Sequence, residues 1–180
     1  MGVLHSETPP LPVALDELKA FLRISVDQED ALLAGFVRAA AEHCEAFTGR
    51  ALIERTVEEM VAVSTVRVRL AAGPVREIES VGAIDEAGEA TPLDAEAVTT
   101  EIDPAGEGWV RLRRAIEAKR LRVTYRAGIA ADWNGVPEML RHGIVRLAAH
   151  HYLRRDEAQD SGMPAAVTAL WRPWRRLRLK

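Results

Sequence analysis

The first fifty residues carry apolar side chains at helical spacing. Three leucines between residues 15 and 22 predict a first helix over about residues 15–23. A longer apolar stripe predicts a second helix over about residues 28–48. Asp27 is expected to cap the start of this long helix, and Gly49 is expected to end it in a left-handed conformation. The two stripes consist of Leu15, Leu18 and Leu22, and of Leu32, Phe36, Ala40 and Phe47.

The middle of the chain changes to an alternation of apolar residues with arginine or threonine. This period of two is typical of antiparallel strands that have one buried and one solvated face. Turn residues separate the alternating runs, so residues from about 53 to 127 are predicted to form an inserted β unit. The runs are Val66–Leu70, Val110–Arg113 and Leu121–Tyr125.

Helical spacing returns near residue 137 and predicts a helix over about residues 137–154. Gly143 lies inside this helix, where glycine costs about 1 kcal/mol relative to alanine, so a neighbour is expected to pack closely against it. A short helix should then run from Pro164 towards Leu170.

These patterns together predict an α+β fold. Its helical core pairs the long helix with the helix at 137–154, and an antiparallel β unit and an extended carboxyl-terminal tail are added to that core. The predicted segments are a flexible arm (1–12), the first part of the core (13–50), the β unit (51–128), the second part of the core (129–170) and the tail (171–180).

Charge divides the chain unequally. The last ten residues carry five cations and no acid, so the net −3 of the whole chain leaves −8 for the other 170 residues. Such a division predicts two surfaces for two different partners. The tail also interleaves two indoles with its arginines, a composition enriched at protein-binding hot spots, although packing within the subunit or binding of nucleic acid would also use these residues.

Candidate catalytic chemistry is sparse. The sequence has no phosphate-binding glycine loop, dinucleotide fingerprint, H-E-x-x-H motif or paired C-x-x-C, so we predict that the chain is not an enzyme and holds no cofactor or metal. His43 and Cys44 are helix neighbours whose side chains diverge by about 100°, as are those of His150 and His151. Core packing or solvent exposure is the simpler interpretation of these four residues.

Arginines on the solvated faces of the strands could contact nucleic acid phosphates. Five nearby glutamates favour ion pairs within the protein or a subunit interface instead. They are Glu54, Glu58, Glu59, Glu77 and Glu79.

Two distant segments resemble the phage head–tail connector proteins, the adaptor or head-completion family of tailed phages, prophages and gene-transfer particles. The first reads LDELKAFLRI followed by DQEDALLAGFVRAAAEHCEAFTGRAL, and the second reads VPEMLRHGIVRLAAHHYLRRDEA followed by MPAAVTALWRPWR. Their order around a strand-rich middle extends the resemblance over nearly the whole chain.

The resemblance implies a structural adaptor at the head–tail junction of a virion or phage-like particle, assembled in the host cytoplasm. Its implied partners are further copies of itself in a ring, which is expected to be dodecameric, the portal protein, a stopper or tail-tube protein, and DNA that passes through without specific binding; no membrane is implied. The implied portal-docking residues are Trp171, Arg172, Trp174, Arg175, Arg176, Leu177 and Arg178.

Two alternatives remain from the residues themselves. A nucleic-acid-binding regulator would use the basic tail and the arginine-rich strands, and its duplex binding would weaken steeply with salt. A hydrolase would use His43, His150 or the carboxylates, but no spacing in the sequence supports one.

Overall fold

The computed structural model describes residues 2–5, 10–155 and 162–176. It confirms a mixed α+β fold with antiparallel sheets, and it divides into two compact units. The described residues of the β unit are 2–5 and 54–129, and those of the helical unit are 10–53, 130–155 and 162–176.

The described residues of the helical unit form four α-helices. They are α1 (Leu15–Leu22), α2 (Asp30–Thr48), α3 (Glu138–Leu153) and α4 (Ala165–Trp171). Helix α2 buries Leu33, Val37, Ala40 and Cys44 along one stripe and packs against α3. Gly49 ends α2 with a φ of 69°, as predicted.

The start of α2 differs from the prediction. The helix begins at Asp30, and Glu29 occupies the cap position without a capping side-chain hydrogen bond. Asp27 instead accepts a hydrogen bond from the amino group of Lys19 at 2.6 Å, and Asp30 accepts another at 2.9 Å. A lysine that is largely buried needs such partners. Because the Asp27 carboxylate binds Lys19, it does not cap α2.

The β unit contains two sheets. A five-stranded antiparallel sheet has the order β1 (Gly2–His5), β2 (Arg55–Ala62), β8 (Arg120–Ala127), β4 (Val75–Ile84) and β5 (Ala90–Pro92). A three-stranded sheet has the order β3 (Val68–Arg69), β7 (Gly108–Leu112) and β6 (Val98–Ile102). Apolar residues from both sheets form one core.

Two terminal segments differ from the predictions. Residues 2–5, predicted within a flexible arm, form strand β1, which pairs antiparallel with β2 and so satisfies the backbone groups along that edge. Residues 171–176, predicted within an extended tail, instead complete α4 and form a short 3₁₀ turn at Arg172–Trp174. Residues 177–180 lie outside the described residues.

Candidate docking site

Trp171 belongs to the core of the helical unit. It is the last residue of α4, its side chain is 0% exposed, and its indole N–H donates a hydrogen bond to the carbonyl oxygen of Leu140 at 3.3 Å. A side chain in this position cannot contact a partner while the unit stays folded. The prediction that Trp171 is an accessible docking residue is therefore wrong.

Gly143 explains how an indole fits beside α3. A Cβ atom at this position would lie 2.1 Å from the indole nitrogen of Trp171, which is far inside van der Waals contact. The absence of a side chain thus creates the space that Trp171 fills. The expectation that a neighbour packs closely on Gly143 is confirmed, and this glycine was the sequence signal for the buried indole.

The next residues of the chain are tied to the end of α2. The backbone N–H of Arg176 donates to the carbonyl oxygen of Thr48 at 2.8 Å, and its guanidinium donates to the carbonyl oxygen of Gly49 at 3.4 Å. In return, Nε of Arg50 donates to the carbonyl oxygen of Trp174 at 2.9 Å. Carbonyls at a helix carboxyl end lack partners in the helix and carry partial negative charge, so a cationic segment suits this position.

The exposed part of this segment is smaller than the sequence indicated. Arg172 and Arg175 are exposed, whereas Trp174 and Arg176 are half-buried. The guanidinium of Arg175 also lies 5.6 Å from the centre of the Phe47 ring. Of the other two predicted docking residues, Leu177 and Arg178, neither lies within the described residues. The accessible part of residues 172–176 therefore consists of these arginines and one indole edge beside the end of α2.

Arginines of the β unit pair with acids of the same unit. Arg67 lies 3.2 Å from Glu101, and Arg69 lies 2.8 Å from Glu107. Arg126 pairs with both Glu54 and Glu77, as expected for two of the five glutamates. These pairs offset the positive charge of the strand faces, as the simpler interpretation predicted for that surface.

Glu59 has a role that the alternation did not reveal. It is fully buried beneath β2, and its Oε2 accepts hydrogen bonds from the hydroxyl of Tyr125 at 2.7 Å and from the N–H of Ala71 at 2.8 Å. The Tyr125 hydroxyl also accepts from the N–H of Ala72 at 3.1 Å. Glu59 therefore organises a polar network within the β core. Its place on the inward face of β2, between Val57 and Val61, was the available signal.

Among the described side chains, the candidate thiol and histidines do not form a metal site. Cys44 is buried, and burial raises the pKa of its thiol far above the ordinary value, which keeps the thiol protonated. The rings of His43 and His151 lie 6.0 Å apart across α2 and α3, a proximity that sequence spacing could not reveal. Within the described part of the chain, no three metal-ligating side chains come together.

Every helix among the described residues is too short or too polar to span a bilayer.

The similarities to known proteins agree with this architecture. Residues 12–79 match the family of phage gp6-like head-tail connector proteins. The predicted resemblance to the head–tail connectors is confirmed. No curated protein matches the chain by sequence.

Three solved structures extend the connector resemblance from residues 12–79 to the whole chain. They describe the neck of an empty gene transfer agent (GTA) particle computed with C6 symmetry, the virion of a native GTA particle, and the neck of a native GTA particle computed with C12 symmetry. The identities are 26%, 25% and 25%, and the TM-scores are 0.84, 0.81 and 0.78. Each match covers 100% of this chain and 98% of the other.

Proposed function

We propose that the chain is a structural adaptor at the head–tail junction of a phage-like particle. It forms a ring, joins the portal of the head to a stopper or tail-tube protein, and leaves a passage for DNA. The observation that carries this proposal is the whole-chain similarity, at a TM-score of 0.84 and 26% identity, to a protein of a GTA neck. The role is structural and requires no catalysis.

Ring formation is supported by the symmetry of those necks, which were computed as C6 and C12 arrangements. Cyclic symmetry repeats one head-to-tail interface until the ring closes. A ring of twelve copies of this chain agrees with the higher of the two symmetries.

DNA passage is supported by charge. A conduit that bound phosphates strongly would retain the DNA, because each phosphate contact adds salt-dependent affinity. The first 170 residues carry −8, and arginines of the β unit such as Arg67 and Arg126 have acid partners. Sliding past the remaining acids would cost the DNA little.

Portal docking is proposed for the segment that follows Trp171. The exposed Arg172 and Arg175 offer charge, Trp174 offers a half-buried apolar edge, and the contacts of Arg176 with α2 hold the segment in place. Leu177 and Arg178, the other two predicted docking residues, follow Arg176 in the sequence.

The test reverses charge without disturbing Trp171. The variant Arg172→Glu/Arg175→Glu should still fold, yet fewer portal-bearing heads should acquire tails, which electron microscopy would count. The control Arg113→Glu/Arg114→Glu makes the same charge change at exposed positions of the β unit and should leave tail attachment intact. Normal attachment with both variants would remove the docking assignment.

A second measurement separates the adaptor from a nucleic-acid-binding regulator. A gel shift with duplex DNA at low salt should show weak binding by the full chain. Tight binding that falls steeply with salt, and that Arg172→Glu/Arg175→Glu abolishes, would favour the regulator instead.

A further inference from the structure

Exposed apolar side chains occur at both ends of α3 in the helical unit. Leu153, its last residue, is 71% exposed, and Met139, its second residue, is 47% exposed. Fourteen residues of α-helix separate these two positions by about 21 Å. The two side chains therefore mark different surfaces of the same unit.

The first surface, the Leu153 end, lies where α3 ends beside the start of α2. The hydroxyl of Tyr152 donates to Glu29, and Lys19 binds Asp27 and Asp30, so these contacts bring residues 19–30 to this end. The apolar side chains exposed in this region are Phe21, Val26, Leu32 and Leu153. Exposed arginines accompany them at positions 23, 154 and 155, together with the exposed Asp27, which is bound by Lys19.

The second surface, the Met139 end, lies where α3 begins. Trp133 is exposed beside the guanidinium of Arg141, which lies 5.6 Å from its ring centre, and Met139 follows at the first turn of α3. Its exposed charges include Asp132 and Glu138. Among the described residues, the Leu153 end thus combines apolar groups with more exposed arginines than exposed acids, whereas the Met139 end combines them with exposed acids.

We propose that the Leu153 end of one copy binds the Met139 end of the next copy. This inference rests on the ring in the proposed function. A closed ring needs two different, complementary surfaces on each subunit, because each copy presents one surface forwards and the other backwards. Both ends of α3 expose apolar side chains. The predominant sign of the exposed charges beside them differs between the two ends.

Single-cysteine pairs test the pairing directly. Leu153→Cys and Met139→Cys chains are co-produced, rings are taken from purified particles, and a short bismaleimide is added; the buried Cys44 stays in place as an unreactive background. Covalent dimers should form in mixed rings and be absent from rings of either variant alone. Dimers from Leu153→Cys alone would indicate a two-fold contact and overturn the proposal.

A charged substitution at Leu153 provides a second test of the proposed interface. Leu153→Glu should reduce ring occupancy on particles about tenfold or more, as expected for a buried contact. The control Val66→Glu changes a side chain that is 73% exposed in the β unit and should change occupancy less than about twofold. Circular dichroism checks that both variants keep their helix content.

The outcomes separate the interface from the function. Rings of full mass without mixed-ring dimers, and with normal occupancy for Leu153→Glu, would overturn the interface and leave the adaptor proposal standing. Native particles whose necks contain only single copies of the chain would instead overturn the ring and, with it, the inference.

Discussion

The β unit and the helical unit treat their polar residues differently. In the β unit, the Glu59 carboxylate accepts a hydrogen bond from Tyr125 inside the core, and arginines such as Arg67 and Arg69 pair with nearby acids. In the helical unit, cations follow Trp171, and apolar side chains such as Leu153 stay exposed. The number of arginines therefore does not identify a binding surface. Whether each arginine already has an acid partner within its own unit is more informative.

The largest expected effect is that of Trp171→Ala. Removal of a fully buried indole should cost about 3–5 kcal/mol of unfolding free energy, because the surrounding helices cannot fill the cavity. Hydrogen exchange should show the loss in the helical unit and leave the amides of β2, β4 and β8 protected. Trp174→Ala, at a half-buried position, is the control and should cost much less. Equal costs for the two variants would contradict the assignment of Trp171 to the core.

The second effect concerns two glycines, each inside a helix. Gly143→Ala should destabilise the helical unit by about 1–3 kcal/mol, since the new methyl group overlaps the Trp171 indole. Gly35→Ala, with no atom within 4 Å of its added Cβ, should instead stabilise α2 by up to about 1 kcal/mol. Urea unfolding would measure both. The same sign for the two substitutions would refute the close contact at Gly143.

The elements that could be predicted were those with uninterrupted periodicity. The helical spacing of α2 and its terminating glycine were clear, and so was the alternation in β8. The predicted stripe of α2 was displaced by one position at its start, because Leu33 and Val37 are buried whereas Leu32 is exposed. Strand β4 interrupts its register at two places, which hides the alternation from a reader of the sequence. Strand β1 forms by pairing with a strand more than fifty residues away in the sequence. The local sequence pattern does not indicate that pairing.

The candidate docking site was predictable in composition and not in placement. Indoles and guanidiniums identified residues 171–178 as unusual, but composition cannot separate a core indole from a half-buried one three residues later. The contact between Trp171 and Gly143 links positions 28 residues apart, and only the packing of α4 on α3 decides it. The same limit applies to His43 and His151.

Two tyrosines, one in each unit, test whether a buried hydroxyl contributes more stability than a hydroxyl near the surface. Tyr125→Phe in the β unit removes the donor to buried Glu59 and the acceptor for Ala72, and should cost about 1–3 kcal/mol. Tyr152→Phe in the helical unit removes a bond to Glu29 near the surface and should cost about 0.5–1.5 kcal/mol or less. Thermal unfolding would rank the two; a larger cost for Tyr152→Phe would show that the buried network is not the stronger one.

The smallest effect is electrostatic and depends on pH. Hydrogen bonds from Lys19 lower the pKa of Asp27 below 3.8, and hydrogen bonds to Asp27 and Asp30 raise the pKa of Lys19 above 10.5. The carboxylate contributes stability above pH 3.8 and loses it as the pH falls through its lower folded pKa. The ammonium contributes below pH 10.5 and loses it as the pH rises through its higher folded pKa.

Lys19→Met keeps the buried stem and removes this charge, so it tests that dependence. Near neutral pH, the free energy of unfolding of the wild type should exceed that of the variant. This difference should narrow below pH 3.8 and above pH 10.5. Added salt should narrow it as well, because Asp27 is largely exposed. Glu101→Gln breaks a more exposed pair in the β unit and should have an even smaller effect. A difference that stays constant across pH would contradict the assignment of this stability to the charges of Lys19 and Asp27.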